Sequence, residues 1–229
     1  FVDLDGTRLY YYAAGSRGAG EPIVFLHGFP ASSRLWSSVI RDFPEGHRLV
    51  VCDLLGYGRS DPPRDDPSCE GHARAVLGLL DDLRIPQACI VGHGLGGGVA
   101  QLVCLAAPAR VSRLALIDSA AVDVVPRHLA RLARALGPFA RRVPPGLLAG
   151  LVHGSVIHGF ASPERSRLTL DTCLKPFTTP AGRDVLAAHL RALSHCATRD
   201  VSARVGALGL PTAILWGADD PFYPVALGA

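Results

Sequence analysis

Short apolar runs alternate with longer mixed segments along this chain, and that alternation predicts its elements. Six runs read as strands: 8–15 (RLYYYAAG), 22–28 (PIVFLHG), 47–54 (HRLVVCDL), 88–94 (ACIVGHG), 113–119 (RLALIDS) and 211–217 (PTAILWG). The last five are continuously apolar and close at or near Gly, Asp or Ser, the pattern of parallel strands buried on both faces. Helical periodicity fills the gaps at about 33–42, 68–84 and 95–107. Strand and helix repeated in this way predict an α/β fold, a mostly parallel, doubly wound sheet with helices on both sides. In such sheets the working residues gather at the carboxyl ends of the strands. Here those ends carry HGFP, DLLGYGRSD, GHGLGG, DSA and WGADDP.

The rhythm breaks from about 122 to 207. This stretch is rich in Leu, Ala, Arg, Pro and His and reads as several short helices. It separates the strand ending at Ser119 from the strand starting at Pro211. The expected division is a core over 1–121, a helical cap over 122–207 and the rest of the core over 208–229. A cap excludes water and adds an apolar wall for a ligand.

Composition narrows the class. The chain has 229 residues, 48 % hydrophobic and 19 % charged, an ordinary globular balance. No apolar run reaches the ~18–20 residues of a membrane span, and Phe1-Val2-Asp3 does not open a signal peptide. The net charge of +3 is carried almost wholly by arginine, because Lys175 is the only lysine. Arg127, Arg131 and Arg134 recur at helical spacing between Leu129, Leu132 and Leu136, with Arg141 and Arg142 beyond. They read as the solvated face of an amphipathic helix. No aromatic residues interleave with them as on a nucleic-acid platform. The six cysteines (52, 69, 89, 104, 173, 196) show no C-x-x-C spacing and read as buried, reduced thiols of a cytoplasmic protein.

Four motifs in order resemble those of the α/β-hydrolase-fold superfamily, in its branch with a helical cap inserted after strand six. HGFP (27–30) resembles the oxyanion-hole loop, and DLLGYGRSD (53–61) the loop after the next strand. GHGLGG (92–97) resembles the nucleophile elbow, and LWGADDPF (215–222) the loop carrying the triad acid. The resemblance implies backbone oxyanion donors at Phe29 and Leu95, and Asp220 as the acid that orients a catalytic His. Asp219 and Asp118 are its rivals. It places His27 and Gly28 in the oxyanion loop, His93 beside the apex, and Gly92 and Gly96 where strand and helix pass closely. No metal or organic cofactor is implied.

The pattern fails at the centre. The nucleophile position is Gly94, which cannot form a covalent intermediate through a side chain. The family's catalytic His, its last strand and its last helix would follow Asp220, but the sequence stops at Ala229 and contains no Met. The expectation is therefore a fragment, inactive by the ordinary triad. Its strand near 213–217 would be an uncovered, aggregation-prone edge.

The residues left over point to an ancestral Ser enzyme acting on a small hydrophobic ester or related bond. Tyrosines at 10, 11, 12, 57 and 223 place none in the cap, where an epoxide hydrolase carries its ring-protonating pair. Leu95 stands where a haloalkane dehalogenase has Trp. Two alternatives remain open: a fragment of an Asp-nucleophile hydrolase, and a non-catalytic ligand-binding or scaffold pseudoenzyme. The expected partner is a small hydrophobic molecule in a capped pocket. His153 and His158, five apart, are poorly spaced for one helical face and read as structural.

Overall fold

A computed structural model describes residues 1–15, 20–64, 68–119, 126–136, 139–160, 162–193 and 201–228. Its centre is a six-stranded sheet. The chain enters through a small antiparallel hairpin, β1 (Val2–Leu4) and β2 (Thr7–Leu9), closed by Asp5 and Gly6 at positive φ. It continues into β3 (Tyr11–Gly15), β4 (Ile23–Leu26), β5 (Arg48–Cys52), β6 (Ala88–Gly94), β7 (Val111–Ser119) and β8 (Thr212–Leu215). The sheet order is β3-β5-β4-β6-β7-β8. β3 runs antiparallel to β5, and every other pairing is parallel.

Alternation along each strand feeds two cores. Val24 and Leu26 of β4 and Val50 and Cys52 of β5 face α2 (Cys69–Asp82) and α3 (Leu95–Ala106). Ile23, Phe25, Leu49 and Val51 point the other way, toward Trp36 and the short α1 (Ser37–Arg41). β4 lies between β5 and β6, so the chain winds outward from it in both directions. The crevice beyond its carboxyl end is the topological switch point where such sheets bind ligands.

Between β7 and β8 the chain passes through five helices among the described residues. They are α4 (Arg127–Leu136), α5 (Pro145–Val156), α6 (Pro163–Leu174), α7 (Pro180–Leu193) and α8 (Val201–Gly206). Leu148, Val152, Leu186 and Leu190 belong to the same apolar cluster as β4 and α3, so these helices share one core with the sheet. On α4, Leu129 and Ala133 are buried while Arg131 and Arg134 face solvent.

Several expectations change. The run 8–15 is not one strand: the Tyr10 N–H donates to Ser60 Oγ, which interrupts it between β2 and β3. The segment 33–42 begins as a 3-10 turn (Ser33–Trp36) before α1. β8 has the apolar composition of a strand buried on both faces, but all four of its residues are exposed, and among the described residues its one strand neighbour is β7, which makes it the uncovered edge expected at 213–217. The reading of six reduced thiols fails at Cys69, which is disulfide-bonded. Cys52, Cys89, Cys104 and Cys173 are free, and Cys196 lies outside the described residues. Burial pushes the Cys52 and Cys104 thiols up to about 12, which keeps them protonated and inert.

Candidate active site

The elbow is built by close approach. A Cβ on Gly92 would lie 2.5 Å from the Gly96 oxygen, and one on Gly96 would lie 2.5 Å from the Leu26 oxygen. Bare backbone at both positions lets β4, β6 and α3 meet at one point. The chain turns at Gly94 with φ +53° and ψ −121°, a conformation that L side chains rarely adopt. Among the described residues a Cβ there would touch a single atom within 4 Å, the Gly28 Cα at 3.4 Å. Position 94 is thus conformationally demanding and sterically open.

The oxyanion loop is braced from below. His27 is fully buried at the end of β4. Its Nδ1 sits 2.9 Å from the Gly28 carbonyl, and its Nε2 is 3.0 Å from the Leu54 N–H. A carbonyl only accepts, so Nδ1 carries the proton and Nε2 accepts from Leu54. Burial holds this imidazole below its ordinary pKa. A second brace comes from Asp53, 2 % exposed, which accepts from the Ser33 N–H (2.6 Å) and the Arg59 N–H (2.9 Å). Asp53 ties the loop carrying Phe29 to the loop after β5. Asp53 opens the DLLGYGRSD motif, which by itself gives it no role; a buried acid facing two loop amides becomes evident only when β4 and β5 are side by side.

A cavity of about 650 Å³ opens over these loops. Gly28, Phe29, His93, Gly94 and Leu95 line it from the elbow side. The amides of Phe29 and Leu95 are not donors in the turn and loop hydrogen bonds among the described residues. All three acid rivals, Asp118, Asp219 and Asp220, line the opposite side. Asp220 Oδ1 accepts from the N–H groups of Phe222 (2.7 Å) and Tyr223 (3.1 Å), and Asp118 Oδ1 accepts from the Gly217 N–H (2.7 Å). Asp118 holds φ +40°, a strained setting for a non-glycine residue. His27, Gly92 and Gly96 are not part of the cavity wall; they lie behind it.

His93 packs edge-on to Trp36, with ring centroids 6.4 Å apart, and its Nδ1 is buried without a hydrogen-bond partner among the described residues. Burial lowers its pKa, against the pull of Asp118 and Asp220. The helices after β7 supply the roof through Leu129, Val156, Phe160, Cys173 and Leu193. His158, read as structural, also reaches the cavity, whereas His153 does not. The signal that separates the two is tertiary: Gly159 abuts the Phe222 ring, which draws the turn at Ile157–Gly159 over the acid loop. Among the described residues no three His, Cys, Asp or Glu side chains group as a metal site. No helix among them is long and apolar enough to cross a membrane.

The α/β-hydrolase fold pattern matches residues 21–152, more than half of the chain. This protein belongs to that family. Epoxide hydrolase 4 of Mus musculus is 28 % identical over 241 residues, which span 97 % of this chain and 66 % of the relative. A 2-hydroxy-6-oxononadienedioate/2-hydroxy-6-oxononatrienedioate hydrolase of Paraburkholderia xenovorans is 30 % identical, covering 98 % of this chain and 78 % of the relative. This α/β-hydrolase-fold chain thus spans about two thirds of the length of the first curated relatives it matches. Among solved structures, an α/β-hydrolase-fold protein from Burkholderia ambifaria superposes with a TM-score of 0.81 at 27 % identity, covering 99 % of this chain and 83 % of its own. Est816, described as an N-acyl homoserine lactone degrading enzyme, superposes at 0.77 with 26 % identity, covering 99 % and 85 %.

Proposed function

We propose that this α/β-hydrolase-fold protein binds a small hydrophobic ester or lactone in the cavity over Gly94, and that the covalent route is closed at that residue. The observation that carries the reading is the elbow apex: it faces an apolar-roofed cavity with no side chain, and among the described residues only Gly28 Cα is within 4 Å of the missing Cβ. In this reading the amides of Phe29 and Leu95 hold the ligand carbonyl oxygen. Asp220 takes the acid position, with its oxygen fixed by two amides. His27, Gly28, His93, Gly92 and Gly96 shape the elbow and its loop. The core is 1–121 with 208–229, and 122–207 is the cap. The lactone arm draws support from the likeness to Est816.

A second reading, an Asp-nucleophile lineage, draws support from the similarity to epoxide hydrolase 4. The absence of tyrosine between 122 and 207 weighs against epoxide opening, which needs an acid there.

The test is calorimetric titration with an aryl butyrate ester and an N-acyl lactone, with product followed by chromatography. Saturable binding that Val156→Trp abolishes by filling the cavity, with no product burst and no acyl adduct in the mass spectrum, is the expected result. An acyl adduct on the native protein would overturn the closed covalent route. Binding that is indifferent to Val156→Trp would overturn the choice of cavity.

A further inference from the structure

A second cleft, about 740 Å³, lies on the other side of the oxyanion loop, at the seam between the sheet and the helices after β7. Its wall carries a larger share of polar groups than that of the first cavity, and three cations reach it. Arg34 reaches it from the 3-10 turn after the oxyanion loop, Arg59 from the loop after β5, and Lys175 from the turn after α6. Five other arginines (8, 41, 110, 113 and 183) are ion-paired, whereas Arg34, Arg59 and Lys175 enter no ion pair among the described residues. Arg59 is held in place: its Nη1 donates to Tyr10 Oη (3.0 Å) and its guanidinium sits 4.9 Å from that ring's centroid. Ser32, Ser37 and Tyr12 add hydroxyl groups to the wall.

Two carboxylates also line the cleft. Asp53 is buried and already accepts from the Ser33 and Arg59 amides. Asp171 is exposed, so the cleft sets three cations against two carboxylates, one of them already engaged. Unpaired cations from three separate segments around one polar cleft make an oxyanion site. We propose that this seam binds a small carboxylate- or phosphate-bearing molecule, which joins Arg34 and Arg59 of the core to Lys175 of the cap. Only a loop separates the two chambers. Cys173 lines both, and its thiol lies 3.7 Å from the Ser32 hydroxyl at the partition. An anion seated there draws the roof of the first cavity onto the oxyanion loop.

The only lysine of the chain makes the test direct. Acetylation of Lys175 by acetic anhydride is followed by peptide mass spectrometry in phosphate, in malonate, and in sodium chloride or sorbitol, at matched ionic strength where it applies. The expected result is saturable protection of Lys175 by phosphate or malonate and none by chloride or sorbitol. Arg34→Gln is expected to raise the half-protecting concentration about tenfold, the loss of one charge-assisted contact, while Arg131→Gln on α4 leaves it unchanged. Protection by phosphate alone assigns a phosphate ligand, and protection by malonate alone a carboxylate ligand. Equal protection by chloride or sorbitol, or protection indifferent to Arg34→Gln, overturns the site. Thermal melts of both variants without added anion, matching the native protein, show that the fold is intact in the comparison.

Discussion

Glycine at position 94 and glycine at position 92 look alike in the sequence and are constrained by different physics. At 94 the limit is conformational: φ is +53°, and the nearest atom to a new Cβ is at 3.4 Å, ordinary contact. At 92 the limit is steric: backbone atoms lie 2.5 Å and 2.6 Å from a new Cβ and cannot move as a side chain tip would. Gly94→Ser is therefore expected to lower stability by ~1–2 kcal/mol, the cost of holding a side chain in that region. In a thermal melt that is a drop of a few degrees for a chain of this size. Gly92→Ala is expected to cost more, ~2–3 kcal/mol, because the strand and helix must part. A Ser variant as stable as the native protein would show that the apex is unstrained; an Ala variant at 92 with an unchanged melt would show that the β6–α3 contact can yield. The elbow was legible in the sequence because its geometry is local. The motif spacing singles out Asp220 as the acid, but Asp118, Asp219 and Asp220 all line the cavity, and that shared position depends on the folded loops.

At the level of elements, the junction between the core and α7 rests on a stack of rings. Tyr57 lies against His189 with centroids 4.2 Å apart and planes 22° apart, and His72 of α2 closes a triangle with them, 5.9 Å from His189 and 6.0 Å from Tyr57. Burial holds the His189 pKa at about 4, against 6.5 for a free imidazole, with the Gly56 backbone opposing and His27 reinforcing the shift. The folded state therefore binds fewer protons than the unfolded state between pH 6.5 and 4. Stability conferred by this neutral ring is complete above pH 6.5 and is lost as pH falls toward 4, by an amount on the order of 3 kcal/mol. His27 is shifted in the same direction and adds to the trend. Denaturant midpoints are expected to fall between pH 7 and pH 5, and the fall should be shallower in His189→Gln. A parallel fall in the variant would place the titration elsewhere. Periodicity located α2 correctly. It could not show that His72 meets a ring more than a hundred residues away, because nothing in a helical repeat encodes what its face will touch.

At the scale of the whole molecule, β8 is one edge of the sheet, as β3 is the other, among the described residues. Ile214 and Leu215 are 50 % and 52 % exposed, and the one strand bonded to β8 is β7. An apolar strand with a free row of amides and carbonyls is a template for another chain. The 229-residue protein is expected to self-associate as its concentration rises, and Ile214→Lys is expected to suppress this in light scattering. Equal scattering from the native and Lys proteins would remove β8 as the cause. The apolar run at 211–217 resembles the central strands in composition. Its exposure follows from its edge position in the sheet order, the position expected for 213–217 from the order of the family's motifs and not from composition.

What the sequence determined by itself was short-range: where strands give way to helices, the sharp turn at 92–96, and the ordered motifs that mark the family. These follow from periodicity, turn chemistry and steric limits that act within a few residues. The tertiary structure alone decided which distant groups meet. It set Asp118 against the Gly217 amide, 99 residues away, and drew His158 over the acid loop. It also gathered Arg34, Arg59 and Lys175 around one cleft. Those meetings depend on how separate segments pack, and packing is a property of the assembled core rather than of any window of the chain.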